Sequence, residues 1–227
     1  NAESAQKRDA FIRLGDSYFV TSQYWPALEN YNSAIEMGSS WTEVISRIKQ
    51  RSRYQEKFKT FYPESGITEQ NIKNAIATYE RSLLTPNSRF DLFLKGQKNA
   101  LTTPEKKGYQ LFKSFGCIAC HQGVNMGGNM FAKIGIMHDY FSDRGNLKDI
   151  DLGRYRITKK IEHKYAFKVP SLRNIALTAP YFHDGQTQTL ASAVDKMAYY
   201  QLGIDLPENE TNLIVSFLKS LTGKLKQ

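Results

Sequence analysis

Apolar positions recur at intervals of three and four along most of the 227 residues, the spacing of one face of a helix. Segments 10–19 and 25–36 each carry such a face with a break at 21–23 between them, so residues 1–38 read as a helical hairpin. Trp41, Val44, Ile45 and Ile48 form the next stripe, and Tyr54, Phe58 and Phe61 another that Pro63 closes. Thr68 is placed to cap a helix carrying Ile72, Ile76, Tyr79 and Leu83, and Pro86 ends that segment. Phe90, Leu92, Phe93 and Leu94 make a short helix before Gly96. Thr103 and Pro104 read as a helix start, with Pro104 at the first helical position and Tyr109, Leu111 and Phe112 behind it. From 130 to 170 the period fades, and loops with short strands are expected. Thr189 then caps a helix through Ala191, Val194, Met197 and Ala198 to Gly203. A last helix follows Pro207, with Leu213, Ile214, Phe217, Leu218 and Leu221 on its apolar face, and ends near Gly223. The expected fold class is mainly α: a hairpin over 1–38, a helical region over 39–104, and a further domain over 105–227.

The chemistry enters at Gly116-Cys117-Ile118-Ala119-Cys120-His121. Two thiols separated by two residues, with a histidine directly behind, form the attachment site of a c-type haem. The two-residue gap matches the separation of the porphyrin vinyls, and His121 can turn its imidazole under the iron. A thioredoxin-like redox pair or half of a zinc site are the alternatives. Cys117 and Cys120 are the only cysteines, and no second ligand pair at metal spacing lies nearby. One covalent haem c, in a cytochrome c-like domain over 105–227, is therefore expected. Gly123, Gly127 and Gly128 follow the motif; small residues there let backbone approach a flat cofactor, and a plain flexible loop fits equally. Among the five methionines, Met37 precedes the haem domain, and Met126 and Met130 follow His121 too closely to cross to the other porphyrin face. Met137, in a loop setting, competes with Met197, which lies far enough downstream for the chain to wrap the haem edge. Met197 is the reading for the distal iron ligand; core packing is its alternative.

Charge narrows the partners. The formal net charge is +9, with 41% hydrophobic and 23% charged residues, the balance of a globular chain. No apolar run approaches a membrane span. No nucleic-acid motif accompanies the charge, so nucleic acid is not an expected partner. Arg154, Arg156, Lys159, Lys160, Lys164 and Lys168 cluster. They suit docking to an acidic redox partner or balancing haem propionates, or else a solvated basic surface. Because haem is attached to such motifs outside the cytoplasm, a periplasmic or otherwise extracytoplasmic protein whose signal peptide has been removed is expected.

Two resemblances add to this. Leu14, Gly15, Tyr18, Ala27, Tyr31 and Ala34 resemble the pattern of one tetratricopeptide repeat, although an ordinary hairpin has similar spacing. A single repeat cannot bury its own face, so it is expected to pack on the rest of the chain or on another molecule. From Glu36 onward, over roughly 190 residues, the sequence resembles the second half of the bacterial di-haem cytochrome c peroxidases, the family that includes the MauG-type enzymes. Glu36-Met37-Gly38, the run from Tyr79 to Pro86, and Phe90-Asp91 with Leu94-Lys95-Gly96 carry the likeness, as do the haem motif and the run from Phe167 to Asn174. The most specific parts are the run from Ala176 to Gly185, and Met197-Ala198 with Tyr200 to Gly203.

The resemblance implies that Met197 is the distal ligand. Thr178 and Pro180 match positions whose backbone carbonyls bind calcium in the family. Arg173 is a candidate for balancing a haem propionate or for anchoring its loop. His183 falls in a family motif; a hydrogen-bonded turn histidine is preferred to a catalytic one, and His138 and His163 read as surface residues. The family's first half carries a second haem motif. Here only one is present and the hairpin stands upstream, so peroxidase activity is not simply inherited.

Three functions follow as expectations. The first is an electron-transfer cytochrome with one His/Met haem, within a larger redox complex. The second is a peroxidase subunit whose second haem comes from another chain. The third is a haem-containing scaffold that binds a protein partner through the hairpin.

Overall fold

The computed structural model describes residues 40–224; the hairpin read over 1–38 lies outside the described residues. The chain divides into two compact units between Leu83 and Leu84.

In the first unit, α1 (Trp41–Lys49), α2 (Ser52–Phe61) and α3 (Glu69–Ser82) follow the apolar stripes. Ser40 and Thr68 accept the backbone N–H of Glu43 and Asn71 through their hydroxyls, each satisfying an amide that a helix start leaves free. Val44, Ile48, Tyr54, Ile67 and Ile72 form the core, with Trp41, Ile45, Phe58 and Ile76 packed round it. Phe61 departs from its stripe and is 75% exposed, at the end of α2, where among the described residues no element covers the last turn.

The second unit begins with α4 (Arg89–Leu94) and α5 (Thr103–Ser114), each opened by a reciprocal capping box, Ser88 with Asp91 and Thr102 with Glu105. The second box places the cap at Thr102, one residue earlier than the expected start. Helix α9 (Glu208–Lys219) crosses α5 at Gly108, where a Cβ would lie 1.9 Å from the Leu213 carbonyl oxygen. Only glycine permits that approach. Around the crossing, Phe217 sits 5.1–5.2 Å from the rings of Phe90, Tyr109 and Phe112. Phe217 and Leu221 are fully buried, each worth roughly 1.5–3 kcal/mol of apolar burial.

Between these helices, β1 (Phe131–Lys133) pairs antiparallel with β2 (Ala166–Lys168), Phe131 opposite Lys168. The segment the strands enclose also holds two short helices, α6 (Tyr140–Arg144) and α7 (Tyr155–Thr158). Helix α8 (Leu190–Met197) is capped by Thr189, widens into a π turn over Ala198–Leu202, and stops at left-handed Gly203. The fold is mainly helical.

Candidate haem site

Helix α5 ends at Phe115, and Gly116, at φ 87°, turns the chain out of it. Cys117–Ala119 form a single tight turn in which the Cys120 and His121 amides both donate to the Cys117 carbonyl, at 3.3 and 3.0 Å. One turn thus carries both thiols and the imidazole. The cysteines are half-buried and unpaired. Cys117 packs on the aromatic core, and burial pushes its thiol up to about 11.

His121 lies against Phe112, ring centres 6.4 Å apart. Burial lowers its pKa and keeps the ring neutral, the form that binds metal, while the backbone of Met126 and Pro170 acts the other way. Its Nδ1 is buried and makes no hydrogen bond within normal limits. The glycine-rich segment behind it is a built turn, not a free loop. A Cβ on Gly127 would lie 2.1 Å from the Pro170 carbonyl oxygen, and the Gly128 amide donates to Val169 O at 2.7 Å. Two unpaired thiols and a buried neutral imidazole with an orphaned nitrogen, on one turn, fit a covalently attached haem. Among the described residues no group of three or more His, Cys, Asp and Glu side chains could hold a metal ion, which leaves the zinc reading without donors there.

Met197 is the last residue of α8 and is half-buried. Leu190 and Val194 of that helix pack on the same cluster as Cys117, and Met197 follows Val194 by three residues, on the same face. Met137 is 57% exposed, its Cε 3.3 Å from where a Cβ on Gly203 would stand. Met126 is buried in the core with its backbone beside His121. Gln201 holds the end of α8. Its amide oxygen accepts from Gly135 N at 2.6 Å and Ile136 N at 3.3 Å, and its Nε2 donates to Lys133 O at 2.9 Å. The Met137 amide adds a bond to Tyr200 O at 3.0 Å.

Arg173 is engaged along its whole guanidinium. Nη1 and Nη2 donate to the two Asp91 oxygens at 2.8 and 2.6 Å, and Nε donates to Val124 O at 2.9 Å. Burial tends to raise the Asp91 pKa, but the bonds from Arg173 and Ser88 outweigh it and hold the carboxyl below its ordinary value. Arg173 thus ties the post-motif turn to α4. Thr178 and Pro180 are exposed, and the Thr178 hydroxyl donates to Ile175 O.

His183 stacks on Phe167 at 4.4 Å and shares a 2.6 Å hydrogen bond with Asp151. Asp151 is fully buried, paired with Arg144, and accepts the Lys148 amide at 2.6 Å. Arg144 also pairs with Asp184 at 2.7 Å, and the Tyr140 hydroxyl donates to Asp184 at 3.3 Å. The bond from Arg144, against burial, holds Asp151 well below the usual carboxylate range. Burial and the Asp184 charge push Tyr140 up to about 12. His183 is thus a turn histidine hydrogen-bonded to Asp151. His138 is exposed and stacks on Tyr199 at 4.2 Å; His163 is partly buried and bonds Thr158 at 2.9 Å. The Arg144–Asp151 pair and the Gln201 clasp are not singled out by sequence pattern: the break at Gly145 separates Arg144 from Asp151, and Gln201 reaches back 65 to 68 residues.

Comparison with known proteins matches this architecture. The model of the family described as di-haem cytochrome c peroxidase matches residues 17–99, so the likeness reaches upstream of Glu36. Cytochrome c peroxidase Ccp of Escherichia coli K12 is 45% identical over 190 residues, 83% of this chain and 40% of that protein. Cytochrome c551 peroxidase of Pseudomonas aeruginosa is 40% identical over 220 residues, 92% of this chain and 63% of that one. The chain therefore spans less than two thirds of the length of either relative. The crystal structure of a MauG-like protein associated with microbial copper homeostasis superposes with a TM-score of 0.66 at 28% identity, over 83% of this chain and 64% of that one. With the haem-attachment turn, the α5–α9 crossing and these relatives in agreement, the chain belongs to the di-haem cytochrome c peroxidase family.

Proposed function

We propose that the chain is an exported c-type cytochrome that passes electrons through one haem attached to Cys117 and Cys120, with His121 and Met197 as axial ligands, inside a larger redox assembly. The observation that carries this is the His121 site: a buried, neutral imidazole on the same turn as two unpaired thiols. A haem held there supplies one-electron exchange between ferric and ferrous iron. The chain's own residues orient and shield. Phe112 and the aromatic core exclude water from the histidine side, and Gln201 fixes the turn that ends at the methionine helix. His121 and Met197 would both hold the iron, and a group so held would serve electron exchange and not the binding of peroxide.

The names of the relatives support a second reading, in which this chain delivers electrons to a peroxide-reducing site elsewhere in the assembly. Calcium at the Thr178 and Pro180 carbonyls belongs with that assembly. Among the described residues no helix is long and apolar enough to cross a membrane, and haem attachment places the chain outside the cytoplasm.

Intact mass under denaturing conditions should exceed the polypeptide mass by one haem; a bare polypeptide mass removes the assignment. Met197→Ala should turn the low-spin spectrum high-spin, and Met197→His should keep it low-spin at a lower potential. An unchanged spectrum in Met197→Ala, with Met137→Ala altering it, moves the ligand to Met137. Peroxide turnover by the isolated, haem-counted chain should be negligible, and robust turnover would overturn the first reading.

A further inference from the structure

We infer that the loop over residues 154–168 is a docking surface for an acidic redox protein. The inference rests on the electron-transfer reading above and adds the place and chemistry of contact. The loop carries six cations, Arg154, Arg156, Lys159, Lys160, Lys164 and Lys168, against one carboxylate, Glu162. In its midst stand two isoleucines open to solvent, Ile157 at 88% and Ile161 at 72% exposure.

The protrusion is held in shape. Its base is fastened to β2 by Arg154 N to Ala166 O at 2.8 Å and Tyr165 N to Leu152 O at 3.1 Å. Its tip is closed by Lys159 in the left-handed region, φ 56°, and by the 2.9 Å contact of Thr158 Oγ1 with His163 Nδ1. That contact joins α7 to the turn Ile161–His163, so both isoleucines ride on one tied unit.

The cations divide by task. Arg154 covers Phe131, Lys164 covers Tyr165, and Arg156 pairs with Asp149. Lys159, over the Tyr155 ring at 5.9 Å, and Lys160 are exposed, and neither forms an ion pair among the described residues. A loop kept only for solubility has no use for two exposed isoleucines at its tip. Exposed isoleucines set among cations, two of them exposed lysines without an ion pair among the described residues, are the layout of a transient interface: the charge steers encounter, and the apolar centre holds the complex. The complementary surface is acidic with an apolar spot. The exit strand β2 runs through Val169 to Pro170, whose carbonyl packs on Gly127 and whose backbone lies beside His121. The patch thus continues into the segment backing the haem histidine, which favours an electron-exchanging protein over an anionic lipid surface.

The test measures second-order electron exchange between the haem-loaded chain and a small soluble c-type cytochrome of net negative charge, across a range of salt. Lys159→Glu with Lys160→Glu should slow exchange about tenfold or more at low salt and flatten the salt dependence. Ile157→Ser with Ile161→Ser should slow it at every salt concentration without changing that slope. Lys57→Glu with Lys59→Glu, equal in charge and placed on α2, should leave the rate within about twofold of wild type. Ascorbate reduction should be alike in all variants. An equal fall in the α2 variant would show that net charge alone acts, and the docking surface falls. Wild-type rates in both loop variants also refute it while leaving the electron-transfer reading standing. A wild-type haem that ascorbate reduces but the acidic cytochrome does not defeats both. Unchanged exchange with loss of binding to phosphatidylglycerol vesicles, or of a dimer in sedimentation, reassigns the loop to a membrane or to self-association and overturns the proposal.

Discussion

At the scale of single residues, the side chains that matter most bridge distant segments. Gln201 makes all three of its hydrogen bonds to backbone groups of Lys133, Gly135 and Ile136. Gln201→Ala should cost about 1 kcal/mol, because it strands the partly buried Gly135 amide while water can reach the other two groups. On the proposed ligation by Met197, it should also lower the reduction potential of the haem-loaded chain and let added imidazole displace the methionine. Gln201→Glu, which keeps the acceptor and loses the donor, should fall between. Denaturant melts and potentiometry on the three proteins check this; equal potentials would confine Gln201 to a stabilising role. The contrast with Cys117, Cys120 and His121 explains what could be read from sequence. Their chemistry is written within five consecutive positions, whereas Gln201, Arg144 and Asp151 show their roles only once the chain has folded back. His183 reads two ways in sequence, and its meaning comes from Asp151, 32 residues earlier.

At the scale of elements, helix starts are legible because a cap and its partner lie three residues apart. Ser40, Thr68 and Thr189 each cap the helix that follows them. At α5 the Thr102–Glu105 box competes with the Pro104 signal and wins by one position, since it satisfies two amides where proline merely removes one. Helices α6 and α7, of five and four residues, are too short to display a period. The α5–α9 crossing yields a sharp prediction. Gly108→Val would drive a side chain into the Leu213 carbonyl, so the helices must part, at a cost of about 3 kcal/mol. Thermal unfolding of Gly108→Val beside Gly116→Ala compares a packing glycine with one whose Cβ would meet nothing but whose φ is 87°. The first should lose more.

Over the whole molecule, burial and charge set the response to acid. Asp91, Asp151 and Asp184 all have pKa values held below the ordinary carboxylate by arginine partners. Their contribution is complete above the unfolded value of about 3.9 and is lost as pH falls through it toward the lower folded values. Stability from these groups should therefore be flat from pH 7 to about 5 and decline below about 4. Asp151→Asn should start lower and show a shallower acid slope, measured by urea melts across that range. Gln201 also bears on how the molecule comes together. Its partners lie 65 to 68 residues back along the chain. Closing so long a loop spends chain entropy before any of its bonds returns it, so this clasp is expected among the last contacts to form. In that interval the turn after α5 can already display the two cysteines while the helix ending at Met197 still swings free. The order of folding thus leaves an open side through which a flat porphyrin can enter before the chain shuts over it.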